Sequence, residues 1–148
     1  PCPLCLTNQI DNFHIVLSCP TVLKLWSTAE PLLRKLYPRP VTNEEMAFGI
    51  PGNTSPIILR NFITYLLRDC IRTQERIAFN NNLGEGNTIH LQHTVNARVK
   101  REVIETYQLL KYLKRSESFF KSFNPNGRFL VNVDGDISSD NIPNVFNV

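Results

Sequence analysis

A chain of 148 residues, 42% of them apolar, has room for one domain with a modest core. Its net charge of +3 does not by itself demand a polyanionic partner, and no apolar run approaches the length of a membrane span. No segment reads as a signal peptide and the chain begins at Pro1, so it is expected to be a piece of a longer, intracellular protein. The charge is unevenly spread. Residues 1–55 hold four basic and four acidic side chains, residues 56–123 hold eleven and six, and residues 124–148 hold one Arg and three Asp.

Cys2, Cys5, His14 and Cys19 open the chain in the spacing C-x2-C-x8-H-x4-C. Thiolates and a neutral imidazole are the donors zinc prefers, and four of them close a structural site with no open position for chemistry. In a reducing setting clustered cysteines bind metal more often than they pair, and a disulfide framework would not need the histidine. The turn Cys2-Pro3-Leu4-Cys5 resembles a zinc knuckle. Zinc is therefore the expected cofactor, with these four residues as its ligands.

Asp11 is a candidate N-cap for a short helix from about Asn12, which would carry His14 in its first turn. A second helix is expected after Pro20. Its apolar positions Val22, Leu25, Trp26, Ala29, Leu32, Leu33 and Leu36 recur at three- and four-residue steps. Pro31 lies inside that pattern and should kink or split it. Residues 37–56, with prolines at 38, 40, 51 and 56 and glycines at 49 and 52, read as a long loop pinned by Met46, Phe48 and Ile50.

The next helix is predicted from about Ile57 to Phe79. Leu59, Phe62, Ile63, Leu66, Cys70 and Ile77 form its buried stripe, with Arg60, Arg68, Arg72 and Arg76 mostly on other faces. A turn-rich break follows at Asn80–Asn87, where Gly84 suits a helix stop. A last long helix is predicted from about Ile89 to Phe120, with Val95, Val99, Val103, Leu110 and Leu113 as its spine. Beyond Pro125, the alternation of Phe129, Val131 and Val133 suggests a short strand, and the residues after Asp134 read as loosely ordered. The fold class expected is all-α, a Cys3His knuckle followed by long packed helices with a minor β element near the C-terminus. Its parts are 1–36 knuckle and helix, 37–56 Pro-rich loop, 57–123 helical hairpin and 124–148 strand and tail, in one structural domain.

The order of these parts resembles the C-terminal region of non-LTR (LINE-type) retrotransposon reverse transcriptases. The resemblance is carried by the Cys-Pro-Leu-Cys start, the close His14-x4-Cys19-Pro20, and Leu25-Trp26 in the helix that follows. Ala47-Phe48-Gly49-Ile50-Pro51, Leu67-Arg68-Asp69-Cys70-Ile71-Arg72-Thr73-Gln74-Glu75-Arg76, Phe119-Phe120-Lys121-Ser122-Phe123 and Val131-Asn132-Val133-Asp134-Gly135-Asp136 add to it. In that family the region lies downstream of the polymerase and is taken to help hold element RNA or target DNA during target-primed reverse transcription. The resemblance implies metal ligands at Cys2, Cys5, His14 and Cys19, and an upstream reverse transcriptase domain of the same polyprotein as a partner. It also implies residence in a ribonucleoprotein in nucleus or cytoplasm, with no membrane partner. The family's catalytic aspartates and endonuclease have no counterpart here.

Other motifs resolve to ordinary structure. His90 and His93 lack neighbouring carboxylates or thiolates, and Cys70 lies on an apolar stripe. A calcium loop from Asp134 fails because Ser139 stands where glycine is needed and Val145 where the bidentate Glu belongs. No nucleophile–base arrangement is legible, so no catalytic residue and no enzyme activity are expected of this chain by itself. The candidate phosphate-contacting residues are Arg72, Arg76, Arg98, Arg101, Lys111, Lys114 and Arg115, set against the ordinary reading of a solvated face laced with ion pairs. The rival functions are a zinc-stapled helical module that docks onto protein, and a decayed retroelement remnant without activity.

Overall fold

The computed structural model describes residues 2–7, 11, 13–81 and 88–146. Asn12 and the turn-rich stretch containing Gly84 fall outside the described residues. The fold is all-α, with the Cys2, Cys5, His14, Cys19 cluster near its N-terminus.

His14–Ser18 form a single π-helical turn. Helix α1 (Pro20–Leu36) starts at once after it, with Pro20 at a position whose missing N–H would have had no helical partner. Its buried face is Val22, Leu25, Trp26, Ala29, Leu33 and Leu36, as the periodicity predicts. The split expected at Pro31 does not occur. Pro31 and Ser27, whose carbonyl loses its partner, are both solvent-exposed, so water can satisfy the freed oxygen.

The proline-rich stretch holds a short helix, α2 (Asn43–Phe48), that its composition hid. The Thr42 hydroxyl caps it by accepting the Glu45 N–H at 3.2 Å, and Gly49 ends it at φ 89°. Met46 and Ile50 are buried, but Phe48 is 87% exposed and pins nothing. The Asn61 side chain clasps Ile50 through both its N–H and C=O at 2.8 Å. A Cβ at Gly49 would lie 2.8 Å from that Asn61 oxygen, so the clasp and the backbone conformation both require glycine.

Helices α3 (Ser55–Asn81) and α4 (Thr88–Tyr112) pack against each other as the expected hairpin, and α1 packs on both. Of the predicted stripe of α3, Leu59, Ile63, Leu66 and Cys70 are buried, Phe62 is partly buried and Ile77, at its end, is exposed. Arg60 departs further from expectation. It is fully buried, and its guanidinium donates to both carboxylate oxygens of the equally buried Glu45, the Nε bond being 2.6 Å. Its third nitrogen donates to the carbonyls of Leu33, Tyr37 and Arg39 at 3.1, 2.7 and 2.8 Å. One side chain thereby closes the C-terminal end of α1, the start of the loop and α2 into a unit. Arg68, half-buried, adds a bond from its guanidinium to the Glu45 carbonyl at 3.0 Å.

The last helix is two helices. Helix α4 ends in a Schellman arrangement with Lys114 left-handed at φ 59°, Arg115 N–H bonded to Leu110 O at 2.7 Å and Lys114 N–H to Lys111 O at 3.0 Å. Leu113, expected in the spine, is half-exposed as a result. Helix α5 (Ser116–Phe123) then folds back. Its Phe119 and Phe123 stack with centroids 5.0 Å apart, and they meet Tyr107 at 5.0 Å and Phe62 at 5.4 Å edge-on.

Among the described residues there is no strand. The predicted β element at Phe129–Val133 is interrupted because Asn132 takes φ 51°, and a single backbone bond, Val131 N–H to Asn141 O at 2.9 Å, joins this segment to another. Nor is the tail loose. Phe129, Leu130, Ile137, Ile142, Val145 and Phe146 are all buried in the core. Asparagines replace the ladder. Asn141 donates to the carbonyls of Val131 and Asn132 at 3.0 Å, and Asn96 on α4 accepts the Val145 N–H at 2.7 Å.

Candidate metal centre

Three local structures deliver the four donors. The N-terminal turn brings Cys2 and Cys5 together, held by Leu6 N–H to Cys2 O at 2.8 Å and Cys2 N–H to Thr7 O at 2.9 Å. Leu6 takes φ 61° to make that turn. The π-helical turn presents His14 and closes with Cys19 N–H on His14 O at 2.6 Å. Cys19 stands at the N-cap of α1. The three sulfurs and a ring nitrogen of His14 all lie within 4.8 Å of one another, with Cys2 Sγ–Cys19 Sγ at 4.0 Å and Cys5 Sγ–His14 Nε2 at 3.2 Å. Cys2, His14 and Cys19 are buried and Cys5 is half-buried; no disulfide joins them. These four residues could hold one metal ion.

Burial pushes the Cys19 thiol up to about 12 against the opposing pull of the Val22 and Thr21 N–H groups, and the neighbouring Cys2 sulfur adds to the rise. At Cys5 burial also raises the thiol, but the Thr7 side chain and backbone and then His14 outweigh it and bring it down to about 6. A cation bound among the donors would favour the thiolate over the thiol at each sulfur.

The seven candidate phosphate-binding residues do not share one face. Arg72 and Arg76 are exposed on α3 and border a cleft of about 710 Å³ between that helix and the metal cluster, with Cys2, His14, Asp69 and Glu75 also on its walls. Among the described residues neither arginine has a carboxylate within ion-pair distance. Arg98 is engaged instead, at 2.8 Å from Asp69 and 3.2 Å from Glu102, and those hydrogen bonds hold its charge more firmly than usual. Arg101 is exposed, 4.0 Å from Glu102. Lys111 is tied to Asp136 at 2.6 Å. Lys114 and Arg115 are exposed at the turn after α4. Thirteen residues of helix separate Arg98 from Lys111, roughly 20 Å. The set therefore splits into a group beside the metal cluster and a group at the far end of α4.

The cleft itself, and the Arg60–Glu45 pair that braces the helices behind it, had no signature in the sequence. The spacing of Arg72 and Arg76, one helical turn apart, was the available hint. Among the described residues no helix is long and apolar enough to cross a membrane. No protein-family model, no curated protein and no solved structure matches the chain.

Proposed function

We propose that the chain is a zinc-stapled helical module that holds the phosphate backbone of RNA or DNA, as an accessory part of a retroelement reverse transcriptase. Zinc suits the cluster because three thiolates and one imidazole are its usual structural donors. Bond lengths of about 2.3 Å to sulfur and 2.0–2.1 Å to nitrogen put tetrahedral donors about 3.5–3.8 Å apart. The separations of 3.2 and 4.0 Å bracket that spacing. With four protein donors such a site has no coordination position left for substrate, so its role is to fix the knuckle against α1 and α2, and the chain is not itself an enzyme.

The observation that carries the binding reading is the pair Arg72 and Arg76, exposed and, among the described residues, without ion-pair partners on the open cleft beside the metal cluster. Burial holds the nearby Arg68 guanidinium below its usual value, Glu45 opposes that shift, and the like charge of Arg72 adds to it. The retroelement assignment rests on the resemblance of the Cys/His set, Leu25-Trp26 and the later segments. Interactions of this kind neutralise phosphates without reading bases, and they weaken steeply with salt.

Fluorescence anisotropy of labelled single-stranded RNAs, measured with the zinc-loaded chain over a series of salt concentrations, tests this reading. Arg72→Ala with Arg76→Ala should weaken binding equally across sequences and flatten the log–log salt slope by about 0.7 for each phosphate no longer neutralised. Binding that is absent at low salt, or indifferent to both substitutions, would instead support a protein-docking module, for which the exposed Phe48 of α2 is the observation in favour.

A further inference from the structure

Three of the four cysteines meet at the metal cluster, and they are not equally accessible. Cys19 is buried and locked, with its N–H on His14 O at 2.6 Å and its carbonyl accepting the Leu23 N–H at 2.8 Å. Cys2 is buried too, but it belongs to the short N-terminal turn and borders the open cleft. Cys5 alone is half-exposed, its sulfur 3.1 Å from the Thr7 hydroxyl and 3.2 Å from His14 Nε2. The fourth, Cys70, is buried on α3 at a separate cavity shared with Arg98 and Arg101.

We propose that the cluster is also an oxidation site for hydrogen peroxide, in which Cys5 is the sulfur oxidised first and Cys2 the sulfur that resolves it. The proposal rests on the metal-centre reading above. The Cys5 thiolate attacks one oxygen of the peroxide; an S–O bond forms, the O–O bond breaks and hydroxide leaves, giving a sulfenic acid. The Cys2 thiolate then attacks the Cys5 sulfur; the S–S bond forms, the S–O bond breaks and a second hydroxide leaves. Two electrons pass from the sulfurs to the peroxide, and two protons from solvent turn both hydroxides into water. Cys2 is the resolving partner because it shares one four-residue turn with Cys5 and borders the open cleft, whereas Cys19 stands apart at the N-cap of α1.

A disulfide of about 2.0 Å draws together two sulfurs that now lie within 4.8 Å. It leaves only Cys19 and His14 for the ion, half of the donor set, so the metal departs. One wall of the cleft beside Arg72 and Arg76 is this same turn. Oxidation therefore dismantles the cleft, and a dithiol reductant with fresh metal rebuilds it.

The test uses the metal-loaded chain and hydrogen peroxide as the probe, after metal content has been measured. Released metal is followed with a chromogenic chelator, and cysteine states are mapped by alkylation and mass spectrometry without reduction. The expected result is one metal lost per peroxide consumed, a Cys2–Cys5 disulfide, Cys70 still reduced, and full reversal by dithiothreitol plus metal. Cys70→Ala should leave the release unchanged. Metal retained with Cys5 reduced, a Cys2–Cys19 disulfide, or release that disappears in Cys70→Ala would each overturn the proposal while the metal centre stands. A chain that contains no metal before peroxide is added overturns the centre itself, and the proposal with it.

Discussion

The sulfurs of Cys2 and Cys19 face each other at 4.0 Å although seventeen residues separate them in the chain. That distance is nearly twice a disulfide bond and close to the edge of a tetrahedron built on one cation. Both side chains are buried, so the approach brings two potential anions into a poorly hydrated pocket. A bound cation turns that repulsion into attraction, and its binding free energy becomes part of the folding free energy of the N-terminal region.

Removing the metal should loosen the knuckle while the helices persist. Far-ultraviolet circular dichroism should change little on chelation, because α3, α4 and α5 have their own apolar packing. Hydrogen exchange of the amides of Leu6, Cys19 and Leu23 should accelerate strongly. Equal acceleration across α3 and α4 would show instead that the ion holds the entire fold.

The Arg60–Glu45 pair is the second brace, and breaking it from one side leaves a buried charge alone. Glu45→Gln or Arg60→Met should each destabilise the metal-loaded chain by about 3–5 kcal/mol, read as a shift in urea midpoint at constant slope. The double substitution Glu45→Leu with Arg60→Met should be much milder than the sum of the singles. Additive losses would mean that the two side chains act independently.

Trp26 is 3% exposed and borders a narrow cavity with Met46, Ala47 and Ile71. Trp26→Ala should cost about 3–5 kcal/mol, since the site is enclosed by α1, α2 and α3 and cannot collapse freely. A loss below about 1 kcal/mol in denaturant unfolding would contradict its place in the core.

Tyr107 donates to Asp136 at 2.8 Å and Lys111 donates to the same oxygen at 2.6 Å, tethering the C-terminal segment to α4. The hydrogen bonds from Lys111 and then Tyr107 hold the Asp136 carboxyl below its usual range, so its contribution is present above the unfolded value and lost as acid protonates it. The bond to Asp136 raises Lys111, and the same bond followed by burial raises Tyr107. Their contributions are full below their unfolded values and are lost as pH climbs through the folded ones. The tether is thus intact from about pH 4 to about pH 10. Asp136→Asn should lower the ultraviolet titration midpoint of Tyr107. An unchanged midpoint would show that the carboxylate is not its partner in solution.

Local features were legible in the sequence and non-local ones were not. The Cys3His set could be read because four donors fall within eighteen residues, and the faces of α1 and α3 because burial follows the helical period. Arg60 could not be read, because its burial depends on Glu45, fifteen residues earlier, which itself looks like an ordinary first-turn acid of a short helix. The break after Tyr112 was hidden because Lys114, not glycine, takes the left-handed position that ends α4. The tail misled for a related reason: side chains of Asn96, Asn124 and Asn141 supply the bonds that a strand would have made with backbone. The basic residues were legible as a surplus of charge, but which carboxylates would neutralise Arg98 and Lys111 depends on tertiary structure.

The central claim is one metal ion held by Cys2, Cys5, His14 and Cys19, and cobalt(II) substitution tests it most directly. The chain refolded with cobalt should bind one ion per molecule and show the intense visible absorption of a tetrahedral site, together with thiolate-to-cobalt charge transfer. Zinc should displace it stoichiometrically, and Cys19→Ser should weaken both bands. Weak absorption typical of six-coordinate cobalt, no saturable binding, or a spectrum unaffected by Cys19→Ser would contradict the account.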